Sequence, residues 1–310
     1  MDELLGLVSP RPPDVPESAI ELAEYIARTS GRRSSIPLRW SFTHAPIGGE
    51  EGRKAPLARL IGAGGRGGAV AVKLYLALIW RSASPPHDTD LPARKWAQLL
   101  GLPEPETKGA RRISDALRTL EAQRLVQVIR EPGEPSIVRI LDESGNGAAY
   151  ELPSTAYHHA QDLAAKTRSP ERKKKYQAMM EANRYSKVPQ ELWTNGHIQD
   201  MSSAALAMLL ILMSNNRASE GTKIWWSTRN FPARYGISPA TRARGTRELE
   251  RRYLLEVSKQ LVPNSPNNTP AMAREKVRNV YRLINDATLP PPAPPVIRKK
   301  PDKVTGKGRP

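Results

Sequence analysis

"ISPATRARGTRELERRYLLEV", residues 237–257, carries Arg242, Arg244 and Arg247 within six residues directly after an Ile-Ser-Pro start. Ser before Pro is a helix-opening signal: Ser238 is expected as the N-cap and Pro239 at the first helical position, where its missing N–H costs nothing. Helical spacing then puts Ala243, Thr246 and Leu249 on the inner face, and Leu254 begins a strand. Arg244, Arg247 and Arg251 are left outside with Thr241 and Arg242. Surface helices usually mix both signs of charge. Either these arginines pair with Glu248 and Glu250 at helical spacing, or they face an anionic partner.

Outward from this stretch the chain repeats itself. Trp96 in KWAQLLGL (95–102) and Phe231 in NFPARYGI (230–237) both stand five residues before a glycine, 135 residues apart. The same offset lays the apolar run AVAVKLYLALIW (69–80) over AALAMLLILM (204–213). At an offset of 129, Arg118, Leu120, Glu121, Leu125 and Val128 match Arg247, Leu249, Glu250, Leu254 and Val257. The first copy is therefore six residues longer, at the proline- and glycine-rich PEPETKGA (103–110), read as a turn. Each copy reads as an apolar helix, a short helix, a turn, a second helix and two strands. The strands are LVQVIR (125–130) with IVRIL (137–141), and LLEVSKQLV (254–262) with VRNVYRLI (277–284).

Helix-turn-helix followed by a hairpin resembles the winged helix-turn-helix superfamily of DNA-binding domains, most closely in YGISPATRARGTRELERRYLLEV (235–257). The resemblance covers about 69–141 and 202–284. Two tandem units also resemble, in architecture only, the initiators of iteron-containing plasmids. The resemblance implies a mainly α protein with small β-hairpin wings (α+β). Its second copy would be the main reader of duplex DNA.

An α-helix fits the major groove, where Arg donates two hydrogen bonds to guanine and a Thr methyl touches thymine. Thr241, Arg242 and Arg244 are accordingly the candidate base readers, with Arg247 and Arg251 beside them and Ser238 at a helix start that can accept a phosphate. Arg242 aligns with Ile113 of the first copy, an apolar position, which sets it apart from the others. Arg274, Lys276 and Arg278 in the second wing are candidates for phosphate or minor-groove contact. In the first copy Lys108, Arg111 and Arg112 are candidate contacts, but Asp115 stands where Arg244 does, which suits an auxiliary or dimerising role.

The totals agree with a polyanionic partner. The chain of 310 residues holds 48 Lys plus Arg against 31 Asp plus Glu, a net charge of +17. Of this, +5 lies in the proline-rich segment 289–310, expected as a disordered basic tail, and +12 on the body. No cysteine is present, so disulfides and thiolate metal sites are excluded; this fits a reducing cytoplasm. The start lacks signal-peptide character, and no apolar run reaches the ~18–20 residues of a membrane span.

The expected organisation is a lead with one helix (1–54), a first domain (55–150), a basic helical connector (151–187), a second domain (188–288) and the tail (289–310). The lead helix, ESAIELAEYIAR, shows an apolar face of Ile20, Ala23, Ile26 and Ala27 for the body or for a second subunit. GAGGRGG (62–68) lacks the Lys-Ser/Thr of a phosphate loop and reads as a flexible loop, and the adjacent His158 and His159 read as a surface pair. Trp193, Trp225 and Trp226 read as core rather than as base-stacking platforms.

No catalytic constellation, metal site or cofactor is expected. The functional expectation is a non-enzymatic, sequence-specific DNA-binding protein, a transcriptional regulator or alternatively a replication initiator. A basic structural protein using charge without sequence readout is the rival class. A homodimer through the first domain or the lead helix would suit either DNA-reading role.

Overall fold

The run AALAMLLILM forms a helix whose ten residues, Ala204–Met213, are all buried, the environment a helix that is apolar on every side requires. It lies within a mixed α+β chain. The computed structural model describes residues 12, 14–32, 34–45, 54–62, 67–131, 136–216, 224–227, 229–262 and 276–289. In chain order the elements are α1 (Glu17–Thr29), β1 (Ser35–Arg39), α2 (Pro56–Gly62), α3 (Gly67–Arg81), β2 (Asp88–Thr89), α4 (Ala93–Leu99), α5 (Ala110–Ala122), β3 (Val126–Ile129) and β4 (Ile137–Ile140). There follow α6 (Pro153–Lys166), α7 (Pro170–Ala182), β5 (Tyr185–Pro189), α8 (Glu191–Thr194), α9 (His197–Asp200), α10 (Ser203–Met213), α11 (Asn230–Tyr235), α12 (Pro239–Arg251), β6 (Leu255–Val262) and β7 (Lys276–Leu283).

Two parts of the chain use the same element order. In the first, α3, β2, α4, α5, β3 and β4 end in an antiparallel sheet of order β2-β4-β3. In the second, α10, α11, α12, β6 and β7 follow one another, and Ile224 bridges Tyr281 of β7, so that the last strand is again the central one. Trp96 and Phe231 are both buried, as are Leu120 and Leu249, and Leu125 and Leu254. Where the first part is longer, five residues of PEPETKGA, Pro105–Gly109, form one π-helical turn.

The two parts share one apolar core that runs from Ala23 to Ala287. Trp80 of α3 and Trp193 of α8 meet with ring centroids 5.7 Å apart. Lys73 of α3, buried, donates through Nζ to the carbonyl of Gln199 in α9 at 2.8 Å; burial holds its ammonium down to about 8.

The segments expected to be a lead and a connector belong to this body. β1 and β5 pair antiparallel, from Ser35 opposite Pro189 to Arg39 opposite Tyr185, so the expected boundary at 187/188 falls inside a strand. Helix α1 packs Ala19, Ile20, Ala23 and Ile26 inward against α4 and α8, with Ala27 half-buried. Of the two alternatives for this apolar face, the body or a second subunit, the structure shows it packed on the body. The residues leading into GAGGRGG form α2, with Pro56, Leu57, Ala58 and Leu60 buried, and residues 63–66 of that loop lie outside the described residues. The connector is a helical hairpin, α6 against α7, whose lysine run is exposed. The tail at 290–310 lies outside the described residues. Among the described residues no helix is long and apolar enough to cross a membrane.

Candidate nucleic-acid interface

Helix α11 buries Phe231 and Tyr235 and ends at Gly236, whose φ of +66° is the left-handed conformation glycine favours. A Cβ there would also stand 2.9 Å from the Cβ of Ala58. Ile237 is buried next to it, and the chain turns directly into α12. Ser238 caps this helix as the sequence indicates, its Oγ accepting from the Thr241 amide at 3.1 Å, with Pro239 in the first turn. The Ser238 and Thr241 hydroxyls are also hydrogen-bonded to each other at 2.9 Å, so Thr241, half-buried, is part of the cap.

The inner face of α12 differs from the expected one. Leu249 is buried, but its companion is Gly245, while Ala243 is exposed and Thr246 only half-buried. The cause is the approach of α10: a Cβ on Gly245 would lie 2.2 Å from the Ala204 carbonyl oxygen and 2.6 Å from Cγ of Met208. Arg242 also turns inward. Its guanidinium sits over the rings of Phe231 (4.5 Å), Trp226 (5.5 Å) and Tyr281 (5.5 Å) and donates to Tyr281 Oη at 2.9 Å. Arg242 therefore fastens α12 to the hairpin and leaves the base-reading set.

Arg244, Arg247 and Arg251 remain on the outer face, all exposed, and line one side of an open cleft of about 790 Å³ whose other side is the start of α10, Ser202 to Ala204. Glu248 and Glu250 line the same cleft, yet neither neutralises these arginines. Glu248 accepts from the Ser202 amide at 3.0 Å, from the Ser202 hydroxyl and from Arg252 Nε at 3.2 Å. Arg252 reaches on to Asp200 at 2.8 Å. The acids at this edge thus tie α12 to the chain leading into α10. Among the described residues no carboxylate lies within 4.0 Å of Arg244, Arg247 or Arg251. Among the described residues, Arg247 and Arg251 donate to carbonyls one turn back, those of Ala243 (3.3 Å) and Arg247 (3.4 Å).

The other sequence candidates are distributed differently. Arg278 lies on the outer face of the β6–β7 hairpin, stacked 4.4 Å from the ring of Trp225 and donating twice to Gln260 Oε1 at 3.2 and 2.8 Å. Arg274 lies outside the described residues, as does the side chain of Lys276. In the first part Lys108 pairs with Glu104 at 2.6 Å, Arg118 pairs with Asp115, Arg94 with Glu106 at 3.8 Å and Arg130 with Glu121 at 3.4 Å. Only Arg111, exposed, and Arg112, half-exposed, stand on α5 without a carboxylate among the described residues. On the helix equivalent to α12, one of the three arginines is thus paired with an acid of the same helix.

Trp193 is buried and Trp226 half-buried, its Nε1 donating to Tyr235 Oη at 3.0 Å, whereas Trp225 is 48% exposed rather than in the core. His158 and His159 are exposed. A buried polar cluster had no signal in the sequence. Arg39 and Glu143, both nearly inaccessible, form an ion pair, and Arg39 also donates to Asn183 Oδ1 at 2.9 Å and to the Glu151 carbonyl at 2.6 Å. It joins β1, the segment after β4 and the end of α7, which are far apart in sequence. The most it offered in advance was a lone cation in the short apolar strand SIPLR.

No protein-family model matches the chain, and no curated protein and no solved structure matches it.

Proposed function

We propose that this chain is a non-enzymatic protein of two fused winged helix-turn-helix units that binds duplex DNA sequence-specifically through α12 and acts in transcriptional control. One observation carries the reading: Arg244, Arg247 and Arg251 share the outer face of a helix while the adjacent Glu248 is committed to Ser202 and Arg252. A helix with uncompensated guanidinium groups suits the major groove, where they reach guanine O6 and N7 or flanking phosphates. The exposed Ala243 methyl beside them suits contact with a thymine methyl. The element order and the central position of the last strand in both parts support the winged arrangement.

Selection of bound fragments from a random duplex pool tests this. The expected result is an enriched motif bound ~10³-fold or more above bulk DNA, lost when Arg244 and Arg247 are replaced together by Ala. Equal affinity for all duplexes would leave only a charge-driven binder. Enriched repeats beside an origin would move the role from transcription to replication initiation.

A further inference from the structure

Helices α6 and α7 form an arm fixed at one end only. The residues of α6 that are buried, Pro153, Ala156 and Ala160, all lie in its first eight residues, and α7 buries none. At the base, Asn183, the C-cap of α7, accepts from Arg39 Nε at 2.9 Å. At ~1.5 Å per residue the thirteen residues of α7 extend roughly 20 Å from that anchor. The far end is strongly basic: residues 166–175 hold Lys166, Arg168, Arg172, Lys173, Lys174 and Lys175 against Glu171 alone, 6 − 1 = +5. All six cations are exposed, and among the described residues none has a carboxylate within 4.0 Å.

This arrangement is unfavourable to the isolated chain on two counts. Cations in the opening turns of a helix oppose its dipole, and the consecutive lysines repel one another with Glu171 alone to offset them. Ser169 caps α7 by accepting from the Arg172 amide, so the helix starts immediately beneath its own charges. An external polyanion removes both penalties. The tip also lacks the large apolar side chains that membrane insertion uses: Tyr176, Met179 and Met180 are half-buried and lie nearer the base.

We propose that the tip of the α6–α7 arm is a second, sequence-independent contact to duplex DNA, gripping phosphates outside the tract read by α12. This rests on the reading of α12 as the base-reading helix. The arm supplies affinity and footprint length, and α12 supplies selectivity. A reach of ~20 Å corresponds to about six base pairs.

The test uses the full chain with Lys173, Lys174 and Lys175 replaced together by Gln, and a second variant with all three replaced by Arg. The duplexes are the selected one, a scrambled one of equal length and one trimmed to the α12 tract. The Gln variant should weaken binding to selected and scrambled duplexes by the same factor. It should flatten the salt dependence of log K by up to ~3 and shorten the nuclease-protected tract by several base pairs. It should match the wild type on the trimmed duplex, and the Arg variant should behave as wild type throughout. An unchanged salt slope and footprint would overturn the arm contact while leaving α12 selectivity intact, whereas a wild-type protein without selectivity would sink the α12 reading itself. Loss of binding to phosphatidylserine vesicles with duplex binding unchanged would assign the arm to a membrane surface and likewise overturn the proposal.

Discussion

Arg242 Nη2 donates to Tyr281 Oη at 2.9 Å across 39 residues of sequence, joining α12 to the central strand of the second hairpin. The guanidinium plane also covers Phe231 and Trp226, so the pose of α12 relative to α11 and the sheet depends on one planar cation. Replacing Arg242 by Ala should destabilise the protein by about 2–3 kcal/mol, from the lost cation–π and hydrogen-bond contacts together. Lys cannot lie flat against three rings and should recover less than half of that. Urea unfolding of both variants measures this; a loss below about 0.5 kcal/mol for the Ala variant would mean that the aromatic cluster holds without its cation.

Gly245 is the point of closest approach between α12 and α10. Alanine is the better helix former by ~1 kcal/mol, yet its Cβ would stand 2.2 Å from the Ala204 carbonyl, so the helices must separate. Gly245→Ala should therefore lower stability by ~2 kcal/mol or more, as overpacking does. The matching position in the first part is Ala116, also buried, and there Ala116→Gly should cost ~1 kcal/mol. Thermal melts of the two variants with opposite substitutions make the comparison.

That contact also shows where the sequence stops being informative. The apolar run of α10, the Ser-Pro start of α12 and both hairpins were legible because each is a local pattern with its own periodicity. The inner face of α12 was misplaced because Ala243 looks apolar and Gly245 looks like nothing, whereas the approach of α10 makes the glycine the buried one. Arg242 hinted at its role only through alignment with Ile113; its cage is assembled from residues 226, 231 and 281. The strands β1 and β5 were missed because each is five residues long and the partner lies about 150 residues away. The two residues of β2 carry no pattern at all. Arg244, Arg247 and Arg251 were legible as outward, since exposure and charge are what composition and helical spacing report, whereas Arg242, placed with them, turns inward.

His44 predicts a pH dependence. Burial, with the Arg234 cation nearby, holds its imidazole down to about 4, and the ring packs edge-on against Tyr235 at 5.1 Å. Between pH 4 and 6.5 the unfolded chain therefore binds more protons at this site than the folded one. The stabilisation is complete above about 6.5 and is lost as pH falls towards 4. Other groups titrate in the same window, so the measurement is a difference: the stability of wild type minus that of His44→Gln should fall by ~2 kcal/mol from pH 6.5 to 4. A flat difference would mean that the ring titrates alike in the folded and the unfolded chain.

The Arg39–Glu143 pair is a test of long-range fastening. Truncating one partner of a buried pair leaves the other charge desolvated and uncompensated, typically at a cost of 3–5 kcal/mol. Glu143→Ala and Arg39→Ala should each fall in that range, and the double variant should cost clearly less than their sum. Because Arg39 also holds Asn183, either single variant should speed proteolysis between residues 153 and 182. Strict additivity in denaturant unfolding would show that the two groups act independently.

The two parts of the molecule share one core and are told apart by the charges on their second helices rather than by dissection. On α12, Arg244 has no carboxylate partner among the described residues and faces an open cleft. On α5 the equivalent position is Asp115, paired with Arg118, and the free cations are Arg111 and Arg112 at the helix start. A groove-directed donor pair and a phosphate clamp leave different signatures. Arg244→Ala should cost about 1–3 kcal/mol on the selected duplex and relax preference at one base pair. Replacing Arg111 and Arg112 together by Ala should weaken selected and scrambled duplexes alike and flatten the salt slope by at most ~2. Neither change should shift the melting temperature by more than a degree or two, because among the described residues these side chains have no hydrogen-bond or ion-pair partner. Competition titrations against a panel of single-base-pair variants give both readouts from one experiment. A uniform loss for Arg244→Ala would make it a backbone contact, and a base-specific loss for the α5 variant would make the first part a reader in its own right.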